Sequence, residues 1–127
     1  MSMSTERHES VVARYLAVWN AGAEELDSAV ADVFAEDGTY TDPIADVRGR
    51  EELAAVITAT HKQFPGFTFR LAGAVDGHHH VARFNWELTD GSDGPAPVVG
   101  FDVITLDDEG RIRSVYGFFD RVPSGAA

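Results

Sequence analysis

The stretch PVVGFDVITLDDEGRIRSVYGFFD, residues 97 to 120, decides the fold class. Apolar residues alternate with others in PVVGFDVITL and again in RIRSVYGFFD, which is the period of a strand whose side chains point to two faces in turn. Between them, Asp107-Asp108-Glu109-Gly110 is a turn signal, and so short a turn makes the two strands antiparallel neighbours. Working backwards, HHVARFNWELT and FTFRLAGAV carry the same period, separated by the loop DGSDGPA and by Asp76-Gly77. From Phe67 onward the chain therefore reads as four strands.

The first half has a different period. Val11, Val12, Tyr15, Leu16 and Trp19 fall on one side of a helix over residues 5 to 20, ended by Asn20-Ala21-Gly22. A second helix is expected from about Glu24 to Ala35 with Leu26, Val30, Val33 and Phe34 inward, followed by a short strand in EDGTYTD. The segment REELAAVITATHKQF returns to the helical pattern through Leu53, Val56, Ile57, Thr60 and Phe64, until Pro65-Gly66 stops it. Helices first and an antiparallel sheet after them define an α+β fold, with the helices on one face of the sheet. A twisted sheet wrapped against helices leaves a concave apolar space, the usual seat of a small ligand.

Composition narrows the function. At 127 residues and 44% hydrophobic content the chain suits one domain, read as residues 1–122 with a disordered tail at 123–127. It has no cysteine, so neither disulfides nor thiol chemistry enter. The polar start MSMSTERHES and the lack of a run of about 20 apolar residues lead us to expect a soluble, cytoplasmic protein. A formal charge of −11, with ten basic residues against 21 acids, argues against nucleic acid and anionic membranes as partners.

Three residues attract attention for chemistry. Asp42 lies between the strand residue Tyr40 and Pro43, where it either shapes a turn or holds a carboxylate at the mouth of a cavity. Tyr15 shares the apolar face of the first helix with Trp19, so its hydroxyl either bonds a core carbonyl or points into a cavity. Asp102 interrupts VVGFDVITL on the face of Ile104 and Leu106, where a carboxyl either turns to solvent or an interface, or stays neutral with a raised pKa.

RYLAVWNAG (14 to 22), VFAEDGTYTDP (33 to 43) and GFDVITLDDEGRIRSVYGFF (100 to 119) together resemble the bacterial ketosteroid isomerase branch of the NTF2-like, SnoaL-like superfamily. The resemblance runs from the first helix to the last strand. It implies a cone of three N-terminal helices on a curved, mainly antiparallel sheet, and a homodimer through the outer sheet face. It also implies that Tyr15 and a protonated Asp102 form an oxyanion hole and that Asp42 is the proton-shuttling base. That division of labour is the steroid isomerases' own, carried over by motif. Trp19, Tyr40, Phe64, Phe84, Trp86, Val115, Gly117 and Phe119 are expected to line the substrate slot. Where the family can carry a supporting tyrosine in the third helix, this chain has Ile57, with His61 nearby.

The expected activity is proton transfer next to the carbonyl of a small hydrophobic ketone, steroid or polyketide, with no cofactor. The alternatives are a polyketide-cyclase-like aldol catalyst and a non-catalytic ligand-binding domain. Two reserve residues stand behind the main three: His61 as an acid-base partner, and Asp120, since some SnoaL-like cyclases use a late aspartate as base. His78, His79 and His80 put two imidazoles on one strand face but lack an evident third ligand, so no metal site is expected. Arg83 and Asn85 share the face opposite Phe84 and Trp86. An acid where Asn85 stands would be needed for epoxide hydrolysis of the superfamily's Asp-Arg-Asp kind. Gly-rich phosphate loops and a Gly-x-Ser-x-Gly elbow are absent from the sequence.

Overall fold

The apolar stripe of the first segment forms α1 (Ser2–Trp19), and the next forms α2 (Leu26–Val33). The computed structural model describes residues 2 to 123, with side chains from Glu6 onward, so the tail expected at 123–127 lies, beyond Pro123, outside the described residues. The second helix is shorter at both ends than its periodicity suggests, because Phe34 already has the extended backbone of a strand. That strand, β1 (Phe34–Asp42), turns at Pro43 and Ile44 into a partner, β2 (Ala45–Arg48), and only then comes α3 (Arg50–Gln63). The expectation of three helices ahead of the sheet is thus corrected: the third follows a hairpin. The short segment ADVR has too few apolar positions to announce β2, which is specified by pairing, Tyr40 against Val47 and Asp42 against Ala45.

The remaining strands are β3 (Thr68–His78), β4 (Val81–Thr89), β5 (Val98–Leu106) and β6 (Ile112–Arg121). The sheet is mixed, ordered β2-β1-β6-β5-β4-β3. The pairing of β1 with β6 is parallel, and the other four are antiparallel. Asp76-Gly77 is not a turn. β3 continues to His78, and the chain reverses at His79 and His80, where His79 takes a positive φ of 50°. Gly77 serves close packing instead: a Cβ there would lie 2.5 Å from Cγ of His8 on α1. The His8 ring closes the contact with a 3.0 Å bond from Nε2 to the His79 carbonyl. Further along β3, the register against β4 shifts between Ala72 and Asp76, with Gly73 at φ 84°. A bulge of this kind bends a strand and increases its twist.

The core lies between the helices and the inner sheet face, with Tyr15, Phe34, Ile57, Phe84, Ile104 and Val115 all but inaccessible to solvent. Along β5 burial alternates without a break from Val98 to Leu106, as the opening stretch requires, and this puts Asp102 on the inner face. The outer face carries Tyr116 and Phe118, 47% and 55% exposed, with the Phe101 ring 6.3 Å from that of Phe118.

Candidate active site

Between α1, α3 and the sheet lies a cavity of about 310 Å³. Its wall includes Tyr15 and Trp19 from α1, Tyr40 and Asp42 from β1, Trp86 from β4, Asp102 from β5 and Phe119 from β6. Asp102 is 4% exposed and sits on its floor, meeting two donors. The Tyr15 hydroxyl donates to Oδ2 at 3.1 Å, and the Trp86 indole Nε1 donates to Oδ1 at 2.9 Å.

Two glycines make this arrangement possible. Trp86 pairs across the strands with Gly100, and a Cβ on Gly100 would stand 2.0 Å from Cζ2 of the indole. The ring therefore lies flat over the bare backbone of β5 and reaches along it to Asp102. On the other side Asp102 pairs with Gly117, where a Cβ would fall 2.9 Å from Asp102 Oδ1 and 3.3 Å from Asp42 Cβ. Any side chain at Gly117 would press on both acids.

Asp42 is held differently. Its Oδ1 accepts the backbone N–H groups of Ile44 and Ala45 at 2.9 and 2.8 Å, and its Oδ2 accepts the Tyr40 hydroxyl at 2.5 Å. The two readings of Asp42 coexist, because the residue that closes the hairpin turn also faces the cavity from its half-buried rim.

Environment separates the charges. Burial lifts the Asp102 carboxyl to about 6; the bonds from Trp86 and Tyr15 oppose the rise, and the Asp42 charge adds to it. The Tyr15 hydroxyl is pushed well above its ordinary value by burial and then by the Asp102 charge, while the neighbouring Trp19 N–H acts in the opposite direction. Tyr40 is also raised, first by burial and then by Asp42, so both phenols stay protonated and donate.

Not every expected residue faces the cavity. Phe84 and Val115 are fully buried behind it; Phe84 backs the Tyr15 ring edge-on at 5.8 Å. They sit where the core is packed solid, and alternation alone cannot distinguish a cavity wall from the core behind it. Gly117 makes room and forms no wall. His61 does not line the cavity, since its Nε2 bonds the Trp19 carbonyl at the end of α1. Asp120 is exposed, because β6 turns Phe119 inward and its neighbour outward. Phe64 does line the space, together with residues that were not expected to line it: Leu16, Ile44, Val56, Phe69, Leu88 and Val98 among them. An apolar residue directly after a proline in a turn was the available signal for Ile44, which is 76% exposed at the rim.

The other clusters lie elsewhere. His78, His79 and His80 are exposed around the β3–β4 turn, and among the described residues no group of three or more potential ligands converges on a metal site. Arg83 pairs with Asp76 at 3.1 Å on the exposed face. Among the described residues, no helix is long and apolar enough to cross a membrane.

Helices closing an apolar cavity over a mixed sheet, with a buried tyrosine–carboxyl pair on the floor and a second carboxyl at the rim, define an α+β domain with a polar centre inside an apolar cavity. The chain belongs to the SnoaL-like domain family, part of the NTF2-like group, whose model matches residues 12–115. A steroid Δ-isomerase of Nocardioides simplex is 34% identical over 114 residues, covering 87% of this chain and 88% of that protein. A solved structure of an isomerase candidate of the SnoaL-like family, from Agrobacterium tumefaciens, is 40% identical with a TM-score of 0.85, covering 91% of this chain and 98% of its own. A SnoaL-like polyketide-cyclase candidate from Jannaschia sp. CCS1 shares the fold at 18% identity and a TM-score of 0.74, over 92% and 88% of the two chains.

Proposed function

We propose that the protein is a ketosteroid-isomerase-like enzyme that enolises a small hydrophobic ketone. The observation that carries this reading is the Tyr15–Asp102 pair, 3.1 Å apart on the floor of an apolar cavity whose rim holds Asp42. In the reaction, Asp42 takes a proton from the carbon next to the carbonyl, and the C–H electron pair moves into a new C=C bond. The carbonyl oxygen becomes an enolate oxygen, and Asp42 then returns the proton to another carbon of the same conjugated system. The negative oxygen needs donors fixed in a dry site, the role assigned to Tyr15 and to Asp102 in its protonated form. An anion forming beside Asp102 raises its carboxyl beyond about 6, so the protonated form is favoured at the moment it is needed.

The small volume supports ketone enolisation over aldol cyclisation of a polyketide, which calls for a larger, flatter space; 310 Å³ is near the lower end of the roughly 300–1,000 Å³ of ligand pockets. One feature favours a second reading, a binding domain without turnover: Asp42 already accepts three hydrogen bonds, and Tyr15 is committed to Asp102. The same family reading carries a homodimer through the outer sheet face around Tyr116 and Phe118.

The test is to incubate the protein with a β,γ-unsaturated ketosteroid and follow the conjugated product by ultraviolet absorbance. Turnover lost by at least a hundredfold in Asp42→Asn is the expected outcome. Turnover unchanged in that variant removes Asp42 from the mechanism, and binding without turnover in the wild type leaves the second reading.

A further inference from the structure

Every buried side-chain donor on the cavity wall except one has an acceptor. Tyr15 gives its proton to Asp102, Trp86 gives its N–H to Asp102, and Tyr40 gives its hydroxyl to Asp42. The exception is Nε1 of Trp19, a residue only 5% exposed. Among the described residues, two other buried side-chain nitrogens lack partners, on His8 and Arg111, and neither residue touches the cavity. Among the described residues that line the cavity, Trp19 therefore holds the single buried side-chain N–H without an acceptor. It sits one helical turn after Tyr15, with the two rings edge to face at 6.4 Å. The indole is fixed on its other sides by Tyr40 at 5.5 Å and Phe69 at 5.1 Å. Its N–H is close enough to the Tyr15 oxygen to favour negative charge there, though it makes no hydrogen bond.

On the reading that Tyr15 is an oxyanion donor, we propose that Trp19 is a positioning residue that completes the donor chain: its N–H bonds the Tyr15 oxygen once the Tyr15 proton turns from Asp102 to a ligand oxygen. A phenol that donates strongly gathers negative charge on its own oxygen, and a second donor to that oxygen strengthens the first. The two indoles then have parallel tasks. Trp86 supports the carboxyl and Trp19 supports the phenol, so each oxyanion donor has an N–H behind it.

The experiment uses 2-naphthol, whose oxygen mimics the enolate when ionised and whose absorption spectrum separates naphthol from naphtholate. The whole protein is titrated with pH in the wild type, in Trp19→Phe and in Tyr15→Phe, with circular dichroism confirming that each folds. In the wild type the bound naphthol should ionise below its free value. Trp19→Phe should bring that midpoint back up by about one pH unit, a tenfold fall in the preference for naphtholate, while total affinity changes less. A merely structural tryptophan would weaken binding of both forms alike and leave the midpoint in place, which overturns the proposal. If Tyr15→Phe raises the midpoint and Trp19→Phe does not, the oxyanion reading stands and only the Trp19 inference falls. A wild-type midpoint equal to that of free naphthol defeats both.

Discussion

Replacing Asp102 with Asn isolates the cost of keeping a charge on the cavity floor. Burial, opposed by the bonds from Trp86 and Tyr15 and assisted by Asp42, lifts this carboxyl from 3.8 to about 6. The folded chain thus binds the proton more tightly than the unfolded chain does. A group of this kind favours folding at low pH, and its contribution is lost as pH rises from about 4 to beyond 6. At 1.36 kcal/mol per pH unit, the whole span is worth about 3 kcal/mol. About 1.4 kcal/mol of it falls between pH 5 and pH 8, a range that stays above the isoelectric point near 4.6, where solubility is poorest. Urea denaturation of wild type and Asp102→Asn at pH 5, 6, 7 and 8 measures this directly. The wild type should lose about 1.4 kcal/mol more than the variant on going from pH 5 to pH 8. Effects independent of pH, such as the poor match of an Asn amide to two converging donors, shift the variant's curve without tilting it. Parallel curves would show that Asp102 titrates alike in both states, and the argument from its burial would be wrong.

Gly100→Ala should destabilise the fold by about 1–3 kcal/mol in urea melts, the cost typical of an overpacked core, because the new methyl meets the Trp86 ring and drives the indole off Asp102. Stability equal to wild type would mean that the ring can move away freely and does not fix the carboxyl. If the proposed outer-face dimer forms, the wild type should sediment at equilibrium as a dimer and Phe118→Asp as a monomer, with the fold intact because the side chain is more than half exposed. A wild type that sediments as a monomer removes the outer-face interface.

The fold was legible where side-chain period and turn chemistry agree. β5 and β6 have both, and their limits fall within a residue or so of the pattern. β2 has neither, since ADVR gets its place from β1 and from the Asp42 side chain that closes the turn. Gly77 misled for a related reason: Asp-Gly ordinarily marks a turn, but here the missing side chain makes room for His8, a residue 69 positions earlier that no local window contains. Tyr15 and Asp102 could be singled out as polar groups in an apolar setting, and Asp42 by its place between the strand residue Tyr40 and Pro43. Their hydrogen-bond partners could not, because Trp86 reads as an ordinary inward aromatic until Gly100 is known to lie opposite it.

The two carboxyls also differ in which of their oxygens can act, and this constrains any proton transfer. Asp42 Oδ1 is occupied by two backbone N–H groups that define the hairpin, so using it as a base would cost the turn its closure. Oδ2 accepts only the Tyr40 hydroxyl, which can rotate. In the proposed reaction, Oδ2 is therefore the oxygen that receives the substrate proton, and Tyr40 must turn aside or share it. Because burial holds the Tyr40 phenol protonated, it cannot itself take that proton; it can only orient the carboxylate. Removing the hydroxyl in Tyr40→Phe would leave Oδ2 free but less well aimed. In the proposed reaction, the hairpin bonds to Oδ1 are what keep the carboxylate on the cavity rim while Oδ2 changes partners.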